Sequence, residues 1–451
     1  MFMSFLAGDL RVKKRYHYSD VDFEGLRERY GNELIERLCF HVMALEAIPV
    51  ADFRPSELDP GPFARFHTPR FERLWRTVFT KAGAQWRYEN NLANYVGPNF
   101  LSDTPGRRCS PIAIETGAVD TLCFCGGGKD SLAAMKLFES AGLGFSSYSY
   151  SHPAYGAPAT QLALIESLLD SNRPERRHWV EIETDRISDG GLCAETPISI
   201  FGALPIALQH GYRWLVLGNE RSAEEPNLRW PETGEFVNHQ WGKSVEAELL
   251  VGDYIRDELI SNLQCFSVLR PMHDMVIFNF LRRFPEALKR AHSCNYNKPW
   301  CYRCGKCAYV GLSFTAYLPY DLASEIVAPD LFDNEANERL FGELLGLTGH
   351  KPFECIGETG ETRLAFEICR LKGIRGRAVD LYSSRLPPLD AVERASVYSE
   401  ISPPAASFPA ELWRCLSPLM LTASRDSFRY VSSVCGFRQA LAGAGLASSN
   451  V

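Results

Sequence analysis

The chain has 451 residues, 45% of them hydrophobic and 23% charged, a balance that excludes disorder as its main state and accommodates about two to four domains. With 48 Lys plus Arg against 55 Asp plus Glu the formal net charge is −7, so there is no general electrostatic footprint for a nucleic-acid backbone. No stretch approaches the roughly 20 consecutive apolar residues that span a bilayer, and neither nucleic acid nor a membrane is expected as a partner.

Residues 1–7 are apolar but lead at once into Asp9, Arg11, Lys13, Lys14 and Arg15, with no basic stretch before them and no small-residue cleavage site. No secretory signal is read here. The 14 Cys are few for so long a chain and fit a reducing, cytoplasmic setting better than a disulfide framework. Helical alternation over 23–45 gives way to a stretch punctuated by Pro49, Pro55, Pro60, Pro62 and Pro69. Pro105, Gly106 and Pro111 then mark the end of an N-terminal domain of residues 1–112. Beyond it, short apolar runs at 119–125, 145–151, 178–183 and 213–218 read as strands, and 131–141, 161–169 and 198–210 as helices. That alternation predicts an α/β domain over 113–320, with a parallel sheet covered by helices. Trp214 to Leu217 is apolar at every position, as in a strand buried on both faces. A polar loop to Val237 follows, then helical texture to Leu263. One further helix carries Val276, Ile277, Phe280, Leu281, Phe284 and Leu288 on a face. Residues 321–451 read as a mostly helical region, with a Lys-Pro-Phe-Glu-Cys-Ile-Gly segment at 351–357, a proline-rich stretch at 387–409 and a Gly/Ala/Ser tail after Leu441.

The most informative segment is the first strand of that α/β domain, which runs into Gly126-Gly127-Gly128-Lys129-Asp130-Ser131 and opens a helix. Glycines allow positive φ and bring backbone N–H groups close to a ligand, and the helix N-terminus behind them favours negative charge. The turn is therefore a phosphate cradle. Lys129 can add a cation, Asp130 can hold Mg²⁺, and Ser131 can cap the helix or meet a phosphate oxygen. A Walker A loop would place Ser or Thr directly after Gly-Lys, and a dinucleotide fingerprint would place another glycine where Ser131 stands; neither order fits.

Gly218, Asn219, Glu220 and Ser222 follow the fourth expected strand, at the sheet edge where open α/β folds bind ligands, which puts them beside the nucleotide and its metal. His239 and Lys243 are spaced i and i+4 and would share a face if helical, as a proton-transfer group and a cation should. Cys294, Cys301, Cys304 and Cys307 form C-x6-C-x2-C-x2-C, four soft ligands able to close a tetrahedral structural zinc site. An iron–sulfur cluster fits less well, because Ala308 and not Pro follows the last Cys. A metal-free thiol cluster is the third reading. Cys123 and Cys125, two apart on the expected strand, read as packing.

The turn at 126–131 resembles the Ser-Gly-Gly-x-Asp-Ser turn of the PP-loop ATP pyrophosphatases, with Gly126 in place of Ser, so the backbone must supply that contact. Together with Gly218 to Ser222, Val237 to Ser244, Leu269-Arg270-Pro271, Trp300 to Cys307 and Lys351 to Gly357, it resembles the UDP-N-acetylmuramoyl-L-alanyl-L-glutamate epimerase family, MurL. The resemblance implies a PP-loop, Rossmann-like sheet that binds ATP and Mg²⁺ and a peptide substrate. It implies adenylation of a terminal carboxylate, release of pyrophosphate and AMP, and inversion of the C-terminal L-Glu in peptidoglycan precursor synthesis. In that reading Gly126, Gly127, Gly128, Lys129, Asp130, Ser131, Gly218, Asn219 and Ser222 bind the nucleotide, and Asp130 binds Mg²⁺. His239, Lys243 and Glu220 are the acid–base candidates, while Arg270 and Asn238 meet the substrate. A peptide epimerase of a secondary pathway, a PP-loop synthase forming a nitrile on a deazapurine, and a nucleotide-binding regulator without chemistry are the competing readings.

Overall fold

The computed structural model describes residues 1–7, 9–101, 106, 108–187, 194–294 and 296–443. Pro105, one of the expected boundary markers, and the tail from 444 onward lie outside the described residues.

The chain builds a mixed α/β fold around one seven-stranded sheet. Four of its strands were expected: Thr121–Phe124, Ser146–Ser151, Arg177–Thr184 and Trp214–Leu217. A fifth, Gln264–Ser267, pairs in parallel with Trp214–Leu217. Numbered along the chain, these five lie in the order 3-2-1-4-5, all parallel. The order reverses beside strand 1, between the glycine turn and the end of strand 4, where two loops diverge and leave a crevice.

Two more strands complete the sheet from the other end of the sequence. Phe2–Ala7 and Leu10–Tyr18 form an antiparallel pair, and the second runs antiparallel along Arg177–Thr184. Along Leu10–Tyr18 the buried positions are Val12, Lys14 and Tyr16. The inward Lys14 is neutralised by Glu46 of the helix Asn32–Val50, which also accepts from the Tyr16 hydroxyl.

Both sheet faces are covered, which explains the unbroken apolar run of Trp214–Leu217. Leu122, Leu215, Leu217 and Cys265 point into a core shared with the helices Asn32–Val50, Pro69–Ala82, Glu195–His210 and Val245–Glu258. Cys123, Val216 and Phe266 point into the opposite core, with Lys129–Ser140, Asp274–Leu281 and the C-terminal helices. The hydrophobic core thus runs without a break from the first hundred residues into the α/β segment, across the boundary expected at 112.

Two local expectations change. The helix expected through Leu288 is two pieces, Asp274–Leu281 and Pro285–Leu288, because Pro285 cannot donate to the preceding turn. The segment carrying His239 and Lys243 is no α-helix: only Trp241–Lys243 forms a short 3-10 turn before Ser244 caps Val245–Glu258. The C-terminal region is mostly helical as expected, ending in Ala410–Gly443, and no described helix is long and apolar enough to cross a membrane.

Removing Glu46 would leave a buried ammonium and a buried hydroxyl without their acceptor. Glu46→Ala is expected to cost about 3–5 kcal/mol in urea unfolding, the range for breaking a buried ion pair. Loss of the exposed Arg27–Glu24 pair should cost under about 1 kcal/mol.

Candidate functional site

The glycine turn leaves the sheet at the C-terminal edge of strand 1, and its geometry requires glycine at specific points. Gly127 has φ +85°, and a Cβ there would fall 2.2 Å from the His292 imidazole. At Gly218, at the end of strand 4, a Cβ would meet the Asp130 carbonyl oxygen at 2.9 Å, so the two loops of the crevice touch backbone to backbone. Gly126 is exposed with nothing within 4 Å of where a Cβ would stand, leaving its backbone open to a ligand.

These loops wall an open cleft with an empty volume of about 1170 Å³. Its lining includes Gly126, Gly128, Asp130, Ser131, Gly218, Asn219 and Lys243 from the sequence-derived set. Asn219 Nδ2 has no hydrogen-bond partner among the described residues, a free donor on the wall. Cys123 and Cys125 are both buried in one core cluster, as the packing reading expects, and Cys125 also borders the cleft.

Lys129 lies beneath the turn, buried, with its ammonium 2.5 Å from both Asp130 Oδ1 and Asp274 Oδ1. Burial opposes its charge, yet Asp130 and Asp274 hold it protonated well above the usual lysine range. Asp274 also accepts from Tyr309 at 2.8 Å, and Glu220 is buried nearby with Oε2 unpaired among the described residues. Burial, with carboxylate neighbours, pushes Glu220 and Asp274 upward. Three carboxylates thus face Lys129, with Lys243 acting on two of them, and Asp130 is the carboxylate on the cleft wall. That surplus of negative oxygen suits a hard divalent cation better than a bare phosphate.

Other expected site residues sit behind the wall. Ser222 is buried and donates to Glu361. Asn238 Nδ2 donates to the Ala223 carbonyl at 3.0 Å, and its Oδ1 receives Gln240 N–H at 2.7 Å. Arg270 reaches no cleft: its terminal nitrogens meet Glu224, the Glu220 carbonyl and the Lys243 carbonyl, clamping the two loops together. Its Nε has no partner among the described residues, while its terminal nitrogens are engaged in this clamp.

His239 and Lys243 come together through a residue that spacing alone did not single out. Cys355, half-buried on the cleft wall, is approached by both side chains. Burial opposes its ionisation, but the Lys243 ammonium and His239 bring the thiol down to about 5. His239 Nδ1 is fixed by Gln85 Oε1 at 2.6 Å.

The Cys294, Cys301, Cys304 and Cys307 sulfurs lie within 4.8 Å of one another and could hold a metal ion. Cys294 Sγ accepts from Tyr296 and Asn297 N–H at 3.4 and 3.3 Å, and Cys304 Sγ from Cys307 N–H at 3.3 Å, contacts that suit thiolates. The cluster abuts the glycine turn: His292 N–H donates to the Gly127 carbonyl at 2.8 Å, and Cys294 and Lys298 line the cleft. A second group, Asp20, His178 and His210, gathers three ligand atoms at the opposite, N-terminal end of the parallel strands. These residues are too scattered in sequence to have been read as a set.

Family models describing the MurL N-terminal and C-terminal domains match residues 65–268 and 287–379. A curated UDP-N-acetyl-alpha-D-muramoyl-L-alanyl-L-glutamate epimerase from Salinispora tropica is 29% identical over 311 residues, covering 66% of this chain and 66% of the relative. Proteins of the same name from Micromonospora sp. and Xanthomonas oryzae pv. oryzae are each 29% identical, over 306 and 307 residues. The matched stretch spans about two thirds of the length of these relatives. No solved structure gives a significant match.

Lys129→Met would leave Asp274 buried beside Asp130 and Glu220 without the ammonium that pairs with it. Chemical denaturation is expected to show a loss of about 3–5 kcal/mol. The double variant Lys129→Met/Asp274→Asn should recover part of it.

Proposed function

The chain belongs to the MurL family, and on that premise we propose that it is an ATP-dependent epimerase. Its substrate in this reading is UDP-MurNAc-L-Ala-L-Glu or a closely related peptide of cell-wall precursor synthesis. The observation that carries the reading is the meeting, on one cleft at the switch point of a parallel sheet, of the glycine turn, Asn219, Lys243 and the four-cysteine cluster. The names of the curated relatives supply the substrate class.

The chemistry follows from the difficulty of the reaction. An α-proton next to an ionised carboxylate resists removal, because the carbanion would place a second charge on the same group. Adenylation converts the carboxylate into an electron-withdrawing mixed anhydride, so a protein base can take the proton and another can return on the other face. Hydrolysis then releases the inverted peptide and AMP. Gly126 to Ser131, with Gly218 and Asn219, would cradle the phosphates through backbone N–H groups and the helix N-terminus. Asp130 would hold Mg²⁺, which neutralises phosphate charge during transfer, and Glu220 and Ser222 would support that wall from beneath. Proton handling falls to the side of the cleft carrying Lys243, with His239 behind it. Asn238 and Arg270 would hold the loops that position them.

We assign zinc to the four-cysteine cluster in a structural role, since four thiolates leave no open coordination position. Residues 1–112 would share in substrate recognition: Lys14, Tyr16 and Glu46 line a second cavity that shares Tyr148, Tyr150, Tyr155 and Glu195 with the cleft.

Incubation with ATP, Mg²⁺ and UDP-MurNAc-L-Ala-L-Glu in D2O is expected to give AMP, pyrophosphate and a deuterated D-Glu terminus. ADP and phosphate as products would overturn the nucleotide chemistry, and an unlabelled, chirally unchanged peptide the epimerase reading. Asp130→Ala should abolish AMP formation without lowering the melting temperature by more than a few degrees. Elemental analysis should find one zinc per chain, and its removal by a chelator should lower both stability and ATP affinity, because the cluster braces the glycine turn. Iron with acid-labile sulfide would replace zinc with a cluster.

A further inference from the structure

We propose that Cys355 is the base that removes the α-proton from the activated substrate. The assignment rests on the epimerase reading above and names the atom that performs its central step.

Position comes first. Cys355 lies on the wall of the cleft that also presents Gly126, Gly128 and Asp130, so a carboxyl activated at the glycine turn has its α-carbon within the same enclosure. The segment carrying it is pinned on both sides. Asn227 Nδ2 donates to the Pro352 carbonyl at 2.8 Å and Gln240 Nε2 to the Ile356 carbonyl at 2.9 Å. Glu354 receives Gly305 and Lys306 N–H at 2.7 and 3.0 Å, anchoring the segment to the helix that begins in the four-cysteine cluster. A Cβ on Gly357 would fall 2.0 Å from the Tyr309 hydroxyl, so the backbone beyond Cys355 is also fixed. Such pinning holds a reacting atom in place far better than a free loop would.

Charge comes second. Lys243 from the 3-10 turn, His239 before it and Lys306 from the helix Gly305–Tyr317 all act on the sulfur, while Glu354 is the carboxylate beside it in sequence. The three basic groups outweigh burial, and the thiol is ionised from about pH 5 upward. Such a setting marks a reactive cysteine; structural cysteines buried in apolar surroundings are pushed the other way, as Cys123 and Cys265 are. In the proposed step the α-C–H bond breaks and an S–H bond forms. The C–H electron pair moves into the enolate of the activated carbonyl. The pair then takes a proton on the opposite face, supplied from solvent through the open cleft, and the Cys355 thiol returns its proton to solvent. The adenylate already supplies the activation, so no bond from sulfur to the acyl carbon is required.

The test has two arms. Iodoacetamide labelling, quantified at the Cys355 peptide, should show a midpoint near pH 5 and a flat rate from about pH 6.5 to 8. In Lys243→Met the midpoint should move up by at least one unit. A wild-type midpoint near the ordinary thiol value of about 8.5 overturns the assignment. In the second arm, ATP-dependent deuterium wash-in by Cys355→Ser and Cys355→Ala should fall at least 100-fold further than AMP formation does. Equal losses in the two readouts, or a peptide-acyl adduct on Cys355 in the intact-mass spectrum, overturn the base role. Absence of wash-in by the wild-type protein with every candidate peptide defeats the epimerase reading, and is recognised separately because the labelling profile does not depend on substrate.

Discussion

The site depends on one buried cation. Lys129 sits beneath the phosphate turn with its ammonium shared between Asp130 and Asp274, and Glu220 close by. Its charge makes it possible to bury Asp274 in the helix that packs behind strand 1, and so to fasten that helix to the turn. The same arrangement leaves more carboxylate than cation at the foot of the cleft, with Asp130 facing outward. A single lysine therefore joins two elements while leaving carboxylate charge uncancelled for a divalent ion. The junction would not survive its replacement by an apolar side chain.

Around that point the site is assembled from long-range pieces. The 126–131 turn supplies backbone donors, the loop after strand 4 touches it at Gly218, and Arg270 ties the Glu220 and Lys243 carbonyls together. The 351–357 segment arrives from the C-terminal region, and Gln85 from the N-terminal one orients His239. The four-cysteine cluster leans on the turn through His292 and Cys294. The cleft is thus a junction of all parts of the chain, which is why family resemblance extends well beyond the glycine turn.

Much of this was legible in the sequence, and the exceptions have physical causes. Strands 1 to 4, the glycine turn and the cysteine spacing announce themselves through apolar runs and local order. Gln264–Ser267 escaped because it is four residues long with polar ends, too short for any period. Leu10–Tyr18 escaped because its inward face carries Lys14, whose charge breaks the apolar alternation and is cancelled only by Glu46, far away in sequence. The partners by which Arg270 ties two loops, backbone carbonyls and a distant carboxylate, cannot be seen in one dimension. Cys355 stands out in the sequence only as part of the 351–357 segment, since Lys243 and His239 are more than a hundred residues away. Pairwise chemistry across long loops is what sequence patterns omit.

The closing antiparallel strands also constrain how the chain reaches this state. Lys14 pairs with Thr184 and Tyr18 with Val180, so the strand Leu10–Tyr18 must wait for a partner synthesised roughly 170 residues later. Until then the Phe2–Ala7 and Leu10–Tyr18 hairpin leaves the ribosome with the Leu10–Tyr18 edge also unpaired, and that strand is rich in Arg and Lys on its outward positions. Those charges keep a waiting edge from joining the wrong neighbour. The basic residues near the start of this acidic chain thus act as guardians of a nascent β-hairpin until the sheet is long enough to receive it.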